Sequence, residues 1–592
     1  MTASALTADI AGLPIHKGFV TVEGCRLHYV RQGSGPAAVL LHASPCSAKV
    51  MAELQVVWGR EFTTFAFDLP GFGLSQAPTD GDITIERLAE LIAGAMRAIG
   101  IEQAALYGRH TGASVALELV LRHPELASML LTDGLPIFAA PYTEQRLAEY
   151  LPPITPQWHG GHLTWAFFRY REQHMFWPWD AADLVHRADA DLPDINFLHR
   201  GTLELLEAAD TYARTYRAAF LHQALPRIGN VTVPVYWGNR PGDSQYKTIP
   251  RYPEGAPVHV MSRDPEVALR DELDLLRCHK ATGAVPPHVS GFAAKTLPNE
   301  LHDYIETRHG PVRAWGLALV QQGTPLLFLH DLPGSFELHS EEIRALAATR
   351  PVLAFDLGGN AESPANAPAI ALWREQVADV LDVLGWSDVD LYAQGTSAVL
   401  ALSFGQNHPG RVSKITLQSP PLLTAEERKS FESHAPDIGP KEDGGYLLRL
   451  WHHLRDQELW YPWFNRRHTA RRSNEPRIDP VRLTRHAVAL LKQPHNYALI
   501  WKHVLSQDLS AALASCPVPV RVTSAPNDIF APSVQRHMAG QRDATTLTNI
   551  LTGECDVDRG PNLYSAGRSA AAARSVAGIA KPVAPPHDRD LL

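Results

Sequence analysis

The strongest constraint in this 592-residue sequence is an internal repeat. Corresponding residues stay at nearly constant offsets of 288, 288, 285 and 285 positions, in the pairs His42/His330, Asp68/Asp356, His110/Gly395 and Asp243/Asp528. Residues 160–179 also align without a gap on residues 444–463, and seven of the twenty positions are identical. Chance similarity does not keep such a register over two hundred residues, so the repeat predicts a tandem duplication.

Each copy alternates short apolar stretches with amphipathic segments. In the first copy, residues 37–42 and 63–68 are apolar enough for buried strands, and residues 83–99 have the apolar spacing of a helix. The second copy follows the same pattern at 325–330 and 351–356. Strands that alternate with helices are typical of a parallel sheet with crossover connections. The sequence therefore predicts two α/β domains, each with a mostly parallel sheet flanked by helices.

Residues 103–121 have the pattern of a strand, a sharp turn and a helix. An apolar run ends at Gly108-Arg109-His110-Thr111-Gly112, and apolar residues then recur at helical spacing. Glycines are expected on both sides of the apex because a tightly turned chain leaves no room for larger side chains there. This is the pattern of a nucleophile elbow, with histidine in place of the usual nucleophile.

Composition restricts the partners and the compartment. The formal net charge of −9 provides no basic surface for nucleic acid, and no apolar run approaches the roughly 18 residues of a membrane span. The N-terminus lacks the pattern of a signal peptide, and the five cysteines form no CxxC pair. We therefore expect a cytoplasmic protein that binds a small molecule and neither nucleic acid nor membrane.

A helical, aromatic-rich insert lies between the sixth strand and a later strand of each copy. The insert covers about 142–227 in the first copy and about 424–514 in the second. At that point it would form a cap over the carboxyl ends of the strands, where ligands bind in open α/β sheets. We expect domains at 1–290 and 291–558, followed by an Ala/Pro-rich mobile tail at 559–592.

These features resemble the α/β-hydrolase superfamily, and in particular its capped epoxide-hydrolase and esterase-like members. The matching motifs are the H-x-x-P loop that begins at His42 and His330, the D-L-x-G-x-x-x-S loop, the elbow, the cap, and an Asp after a late strand. The resemblance covers nearly the whole chain and implies this fold in both copies. It also implies a triad of nucleophile, acid and late histidine, in that order along the chain.

Only part of this triad is present in the first copy. His110 stands at the nucleophile position, and the late histidine is replaced by a segment that contains Ser262 and Asp264. A serine-type acyl-enzyme route therefore lacks both its nucleophile and its base. An imidazole at the apex suits general acid–base catalysis. Asp133 and Asp243 are both candidates to orient it, and the sequence does not decide between them.

The second copy has lost more of the triad. Gly395 occupies the apex, Gln418 replaces Asp133, and the late-histidine region contains Glu554 and Cys555. Only Asp528 remains. We expect a catalytically degenerate, supporting copy that pairs with the first as an intramolecular pseudo-dimer. Further association into a homo-oligomer remains open.

Further residues are candidates for oxyanion stabilisation or substrate contact. The loop after the third strand would face developing negative charge with its backbone N–H groups. In the cap, two histidines that do not recur in the second copy are better candidates than Arg171, which recurs as Arg455. The full set is His42, Ala43, Ser44, Arg109, Thr111, His162, His174 and Trp177.

Neither a metal nor a cofactor is predicted. The sequence has no H-E-x-x-H motif, and no G-x-G-x-x-G or Walker pattern follows a strand. The leading hypothesis is cofactor-independent hydrolysis of a small ester, lactone or other carbonyl compound, with His110 as base or nucleophile. The alternatives are lyase, isomerase or cofactor-free oxygenase chemistry on the same fold, and a non-catalytic binding or scaffold protein.

Overall fold

The apolar stretches of the first copy form one eight-stranded sheet in a computed structural model that describes residues 13–540, apart from 80, 139, 141, 366, 526 and 527. Its strands are β1 (Ile15–Val22), β2 (Cys25–Gln32), β3 (Ala37–Leu41), β4 (Thr63–Phe67), β5 (Ala104–Arg109), β6 (Ala127–Asp133), β7 (Val235–Asn239) and β8 (Val258–Val260). Their order is β1-β2-β4-β3-β5-β6-β7-β8. The β1/β2 and β2/β4 pairs are antiparallel, and all later pairs are parallel.

The second copy forms a separate sheet of seven strands. They are β9 (Glu300–Thr307), β10 (Gly310–Leu317), β11 (Leu326–Leu329), β12 (Val352–Phe355), β13 (Val389–Gln394), β14 (Val412–Gln418) and β15 (Val520–Thr523). From β9 inwards, the order β9-β10-β12-β11-β13-β14-β15 matches that of the first sheet. The pairs from β12 to β15 are parallel.

Helices connect the strands and form the inserts. The first copy has α1 (Ala52–Trp58), α2 (Ile85–Ile99), α3 (Thr111–Arg122), α4 (Glu144–Tyr150), α5 (Gly161–Glu172), α6 (Ile195–Glu207), α7 (Tyr212–Leu221) and α8 (Pro265–Cys278). The second copy has α9 (Ser340–Leu346), α10 (Ile370–Val383), α11 (Ala398–Asn407), α12 (Ala425–Ser433), α13 (Gly445–Leu459), α14 (Pro480–Leu491), α15 (Pro494–Leu505), α16 (Leu509–Ala514) and α17 (Ala531–Gly540). Glu554, Cys555 and the predicted tail lie outside the described residues.

Both faces of each sheet are covered. In β3, Val39 and Leu41 pack into the core on one face, while Ala38 and Leu40 pack on the other. All four are fully buried, which explains why this strand is a continuous apolar run rather than an alternating one. The predicted fold class of two mostly parallel sheets flanked by helices is confirmed. Within the described part of the chain, no helix is both long and apolar enough to cross a membrane.

The two caps pack against each other through α5 and α13. A Cβ on Gly160 would lie 2.6 Å from the Trp451 ring, and a Cβ on Gly444 would lie 3.0 Å from the Phe167 ring. Gly160 corresponds to Gly444 in the repeat, and Phe167 to Trp451, so each contact has a counterpart with the copies exchanged. The apolar core of the first copy therefore continues into the cap of the second, which contributes Tyr446 and other buried residues to it.

A buried ionic network also joins the copies. The Lys492 Nζ lies 2.8 Å from Glu207 and 3.0 Å from Glu362, and all three side chains are less than one-tenth exposed. Lys49 adds a second ammonium 3.3 Å from Glu362. Burial disfavours a charged lysine, but Glu207 and Glu362 outweigh it and raise the pKa of Lys492 above its usual value. The ammonium of Lys492 therefore stays charged between the copies.

Replacement of Lys492 by methionine tests this network. Lys492→Met leaves the buried carboxylates of Glu207 and Glu362 short of a partner, and breaking a buried pair in this way costs about 3–5 kcal/mol. We expect a loss of that order in the free energy of unfolding, measured by urea denaturation. The control is Arg263→Met, which breaks an exposed pair with Asp189 and should leave stability nearly unchanged. Equal effects of the two substitutions would contradict a stabilising role for the network.

Candidate functional site

Only His110 stands between strand β5 and helix α3. Its backbone has φ +48° and ψ −112°, a conformation that side-chain-bearing residues rarely adopt. A Cβ on Gly108 would lie 2.3 Å from the carbonyl oxygen of Gly112, and a Cβ on Gly112 would lie 2.1 Å from that of Leu41. Both glycines are therefore required by close backbone approach, and the turn presents the imidazole at the carboxyl end of the sheet.

Asp243 holds the His110 ring. The Nε2 atom lies 2.8 Å and 3.0 Å from the two carboxylate oxygens, and the Gln245 amide donates to the same carboxylate at 2.8 Å. Burial disfavours the charged carboxylate, but His110, Arg109 and the Gln245 amide together hold the pKa of Asp243 well below its usual range. A carboxylate only accepts hydrogen bonds, so Nε2 carries the proton of the neutral ring. None of the described residues forms a hydrogen bond with Nδ1.

Space for this pair depends on Gly134, directly after β6. This residue has φ +72°, and a Cβ there would lie 2.8 Å from His110 Cδ2 and 3.2 Å from Asp243 Oδ1. A larger side chain would displace the ring or the carboxylate. Gly134 was not among the predicted site residues; its place directly after the strand that neighbours the elbow was the available signal.

The carboxylate of Asp133 pairs with arginines rather than with the His110 ring. Its Oδ2 accepts a hydrogen bond from Arg240 Nε at 2.8 Å, and Arg109 Nε lies 3.7 Å away. Burial opposes ionisation of Asp133, but Arg240 and Arg109 outweigh it and lower the pKa of this carboxyl. Asp133 meets His110 only through its backbone oxygen, which accepts from the His110 amide at 3.1 Å. Of the two carboxylates between which the sequence left the choice open, the structure places Asp243 against the ring. The sequence analysis also missed Arg240, three residues before Asp243.

Both ring nitrogens of His42 form hydrogen bonds with the backbone. Its Nε2 accepts from the Leu69 amide at 2.8 Å, and its Nδ1 donates to the Ala43 carbonyl at 2.8 Å. Burial lowers the pKa of His42, so the ring stays neutral. Ser44 is also buried, and its hydroxyl has no hydrogen-bond partner among the described residues. His330 makes the same pair of contacts in the second copy.

His174 lies in the cap, where the positive charge of Arg109 at the elbow acts on it. Its ring packs edge-on against Phe197 and Tyr170, and its buried Nε2 has no hydrogen-bond partner in the described part of the chain. Burial lowers the pKa of His174 to about 4, with further contributions from the positive charges of Arg109 and Arg169. A neutral imidazole with an unused nitrogen therefore lies near the Arg109 guanidinium, whose side chain is 43% exposed.

The other candidates have structural contacts. His162 Nε2 lies 2.8 Å from Thr484 Oγ1, so this ring is committed to the contact between the caps. Trp177 belongs to an aromatic cluster in which it packs edge-on against Tyr150. Thr111 is the first residue of α3 and is fully buried.

The second copy keeps the bend and fills the apex differently. Gly395 has φ +48°, and a Cβ there would lie 2.1 Å from Asp331 Oδ1. The Asp331 carboxylate therefore occupies the space beside the apex. Asp528 accepts hydrogen bonds from Gln418 Nε2 at 3.0 Å and from Ser419 Oγ. A cavity of about 380 Å³ is lined by Asp331, Gly395, Ser419 and Asp528.

Among the described residues, those that could bind a metal form two groups, although their spacing in the sequence indicated none. One group is His16, His288 and Glu306, and the other is Glu86, Glu118 and His222. In each group, the potential ligand atoms lie within 4.8 Å of one another. Neither group includes a residue of the elbow or of the cavity in the second copy.

The apex geometry predicts that glycine is more stable than alanine at position 110. Both substitutions remove the imidazole, and they differ in a Cβ held at positive φ. Backbone strain of this kind costs about 1–3 kcal/mol, so His110→Gly should exceed His110→Ala in free energy of unfolding by that order, measured by urea denaturation. The control is exposed Glu53 in α1, where Glu53→Ala should be more stable than Glu53→Gly because glycine weakens a helix. Equal stability of the two apex variants would contradict a strained apex.

Comparison with known proteins gives several partial matches. A 2-hydroxymuconate semialdehyde hydrolase of Pseudomonas putida is 33% identical over 119 residues, or 19% of this chain and 42% of that protein. Bifunctional epoxide hydrolase 2 of Rattus norvegicus is 30% identical over 126 residues, or 21% of this chain and 23% of that protein. A 2-(acetamidomethylene)succinate hydrolase of Mesorhizobium japonicum is 26% identical over 39% of this chain and 79% of its own length. The chain thus spans less than half the length of the first two relatives.

Among solved structures, Epoxide Hydrolase A from Mycobacterium thermoresistibile matches with a TM-score of 0.35 and 19% identity, covering 45% of this chain and 100% of that one. The family model of the alpha/beta hydrolase fold matches residues 36–311 and 324–440, which is more than half of the chain. The chain belongs to the α/β-hydrolase family.

Proposed function

We propose that the first copy is a cofactor-independent enzyme that hydrolyses a small ester, lactone or other carbonyl compound through His110. The observation that carries this proposal is the contact of 2.8 Å between His110 Nε2 and the ionised Asp243. The names of two relatives, which specify a semialdehyde hydrolase and a succinate-derivative hydrolase, support the same reaction class. The geometry supports His110 as a base rather than as a spacer, because its second nitrogen has no partner among the described residues.

In this proposal, Asp243 fixes the tautomer and Nδ1 acts as the general base. Nδ1 takes a proton from a water molecule as the water oxygen attacks the carbonyl carbon. The resulting tetrahedral oxyanion then collapses, and the bond to the leaving alcohol breaks as Nδ1 returns the proton to that alcohol. The carboxylate stabilises the imidazolium that exists between these steps.

The proposed oxyanion site is the loop of His42, Ala43 and Ser44. The contact of Gly112 with the Leu41 and His42 carbonyl oxygens supports this assignment, because it brings the start of α3 against this loop. Backbone N–H groups of the loop would donate to the developing charge. Arg109 and His174 would form the wall on the cap side, where a charged guanidinium and a neutral imidazole favour a substrate with a second polar group.

Paired substitutions test the catalytic assignment. His110→Ala and Asp243→Asn should each lower kcat/KM by about 10²–10⁴-fold, because they remove the base and its orienting group. Asp528→Asn at the corresponding position of the second copy should leave turnover unchanged. The measurement is a steady-state screen of the full chain against esters, lactones and carbonyl acids. Turnover that survives His110→Ala would overturn the mechanism.

The same screen separates the alternatives. Turnover that depends on His110 but adds no water to the product would favour a lyase, an isomerase or a cofactor-free oxygenase on the same fold. Absence of turnover by the unaltered protein across the panel would favour a non-catalytic binding or scaffold protein.

We infer that the second copy arose by duplication and supports the first as a catalytically degenerate partner. Reciprocal ring contacts support this inference: His162 lies edge-on to Trp451 with centroids 5.2 Å apart, and Tyr446 lies edge-on to Phe167 at 6.5 Å. In a two-fold interface, a contact from one residue to another recurs with the subunits exchanged, and these pairs correspond in that way. The Asp331 carboxylate beside Gly395 supports the loss of elbow chemistry.

Truncation after residue 290 tests the supporting role. The first copy alone would expose cap residues such as Phe167 and leave Glu207 without Lys492. We expect the fragment to be less stable than the full chain and to lose most of its activity, as judged by circular dichroism and by the same screen. A fragment that folds and retains full activity would contradict the inference.

A further inference from the structure

Three potential metal ligands meet where the two copies join. His16 lies in β1, Glu306 lies in β9, and His288 lies in the connection between α8 and β9. The two strands are the edge strands of their sheets, and they lie against each other. His16 Nδ1 is 2.9 Å from Glu306 Oε1, and His288 Nε2 is 3.7 Å from the same oxygen. The two imidazole rings stack with their centroids 4.6 Å apart.

His288 presents an unused nitrogen to this group. Its side chain is only 7% exposed, and its buried Nε2 has no hydrogen-bond partner among the described residues. A buried polar atom without a partner is rare in proteins and points to a ligand.

In the described part of the chain, no guanidinium or ammonium forms an ion pair with the carboxylate of Glu306. Among the described residues, its ion-pair partners within 4.0 Å are His16 and His288. The second group of potential ligands differs in this respect. There, Arg227 lies 2.9 Å from Glu86 and 2.8 Å from Glu118, so a guanidinium already balances both carboxylates. Of these two groups, the one at the junction combines a carboxylate with two imidazoles and no arginine or lysine partner among the described residues.

We propose that His16, His288 and Glu306 bind one divalent transition-metal ion, and that Zn²⁺ fits this donor set best. Zinc binds imidazole nitrogen and carboxylate oxygen at about 2.0–2.2 Å, which places tetrahedral ligand atoms about 3.3 Å apart. The observed separations of 2.9 Å and 3.7 Å lie on either side of that value. The side chains of Glu306 and His16 are 40% and 29% exposed, so water has access as a fourth ligand.

The ion would act as a clamp between the copies. It would tie the edge strand of the first sheet to the edge strand of the second and to the connection between them. The two strands already meet through the rings of Phe19 and Tyr304, which stack with centroids 5.9 Å apart. Binding to the folded chain alone would raise its stability with the logarithm of the metal concentration relative to Kd.

The test is metal binding by the full chain without an affinity tag, after treatment with EDTA and dialysis. Zn²⁺ is titrated by calorimetry, and Co²⁺ by its visible absorption. We expect one equivalent to bind with Kd in the micromolar range or below, and Zn²⁺ to raise the melting temperature. His288→Ala and Glu306→Gln should each weaken binding at least tenfold. Glu306→Gln keeps an acceptor for His16 and removes only the charge.

The matched control is Glu86→Gln in the second group, which should bind as the unaltered chain does. All variants keep the same cysteines, so binding by thiols would persist in every one of them. Melting temperatures in EDTA report whether each variant folds, and Glu306→Gln decides the outcome if His288→Ala does not fold. Absence of binding by the unaltered chain, or binding that survives both substitutions, would overturn the proposal.

Discussion

The site depends on one backbone constraint, the positive φ at the apex between β5 and α3. Gly108 and Gly112 allow the backbone to approach closely on both sides, and the residue between them is turned out at the carboxyl end of the sheet. The second copy has the same φ of +48° at Gly395. The positive φ at the apex is therefore a property of the fold, whereas the chemistry available at the turn depends on the side chain at the apex. In the second copy, the Asp331 carboxylate takes the neighbouring space.

Charge pairing divides the two carboxylates of the first copy between two tasks. Arg240 binds Asp133, which leaves Asp243 to hold His110. The sequence could predict that Asp133 ends one strand and that Asp243 lies just beyond another, because an apolar run precedes each of them. It could not assign their partners, since Arg240 and Asp133 are 107 residues apart and meet only when β6 and β7 pair. Arg240, three residues before Asp243, pairs with Asp133 together with Tyr107 and Arg109, while Asp243 contacts the histidine.

Local patterns predicted the fold well, because apolar runs, helical spacing and turn glycines are short-range signals and the repeat displayed each of them twice. Helix α2 begins at Ile85 rather than at the predicted 83, because the side chain of Thr84 caps it. Contacts between the copies carry no such signal. His162 meets Thr484 across 322 residues, and His16 meets Glu306 across 290, so both depend on how the finished halves dock. His162, one of the two cap histidines predicted to contact the substrate, lies in that interface.

In the proposed mechanism, Asp243 holds the proton on His110 Nε2 and leaves Nδ1 free as a base. The most direct measurement is ¹⁵N NMR of the imidazole nitrogens in histidine-labelled protein, with His110 assigned by comparison with His110→Ala. We predict that the neutral ring of His110 has a protonated Nε2 and an unprotonated Nδ1. A neutral ring with the proton on Nδ1 would contradict it, because the carboxylate would then face a nitrogen that has no proton to donate.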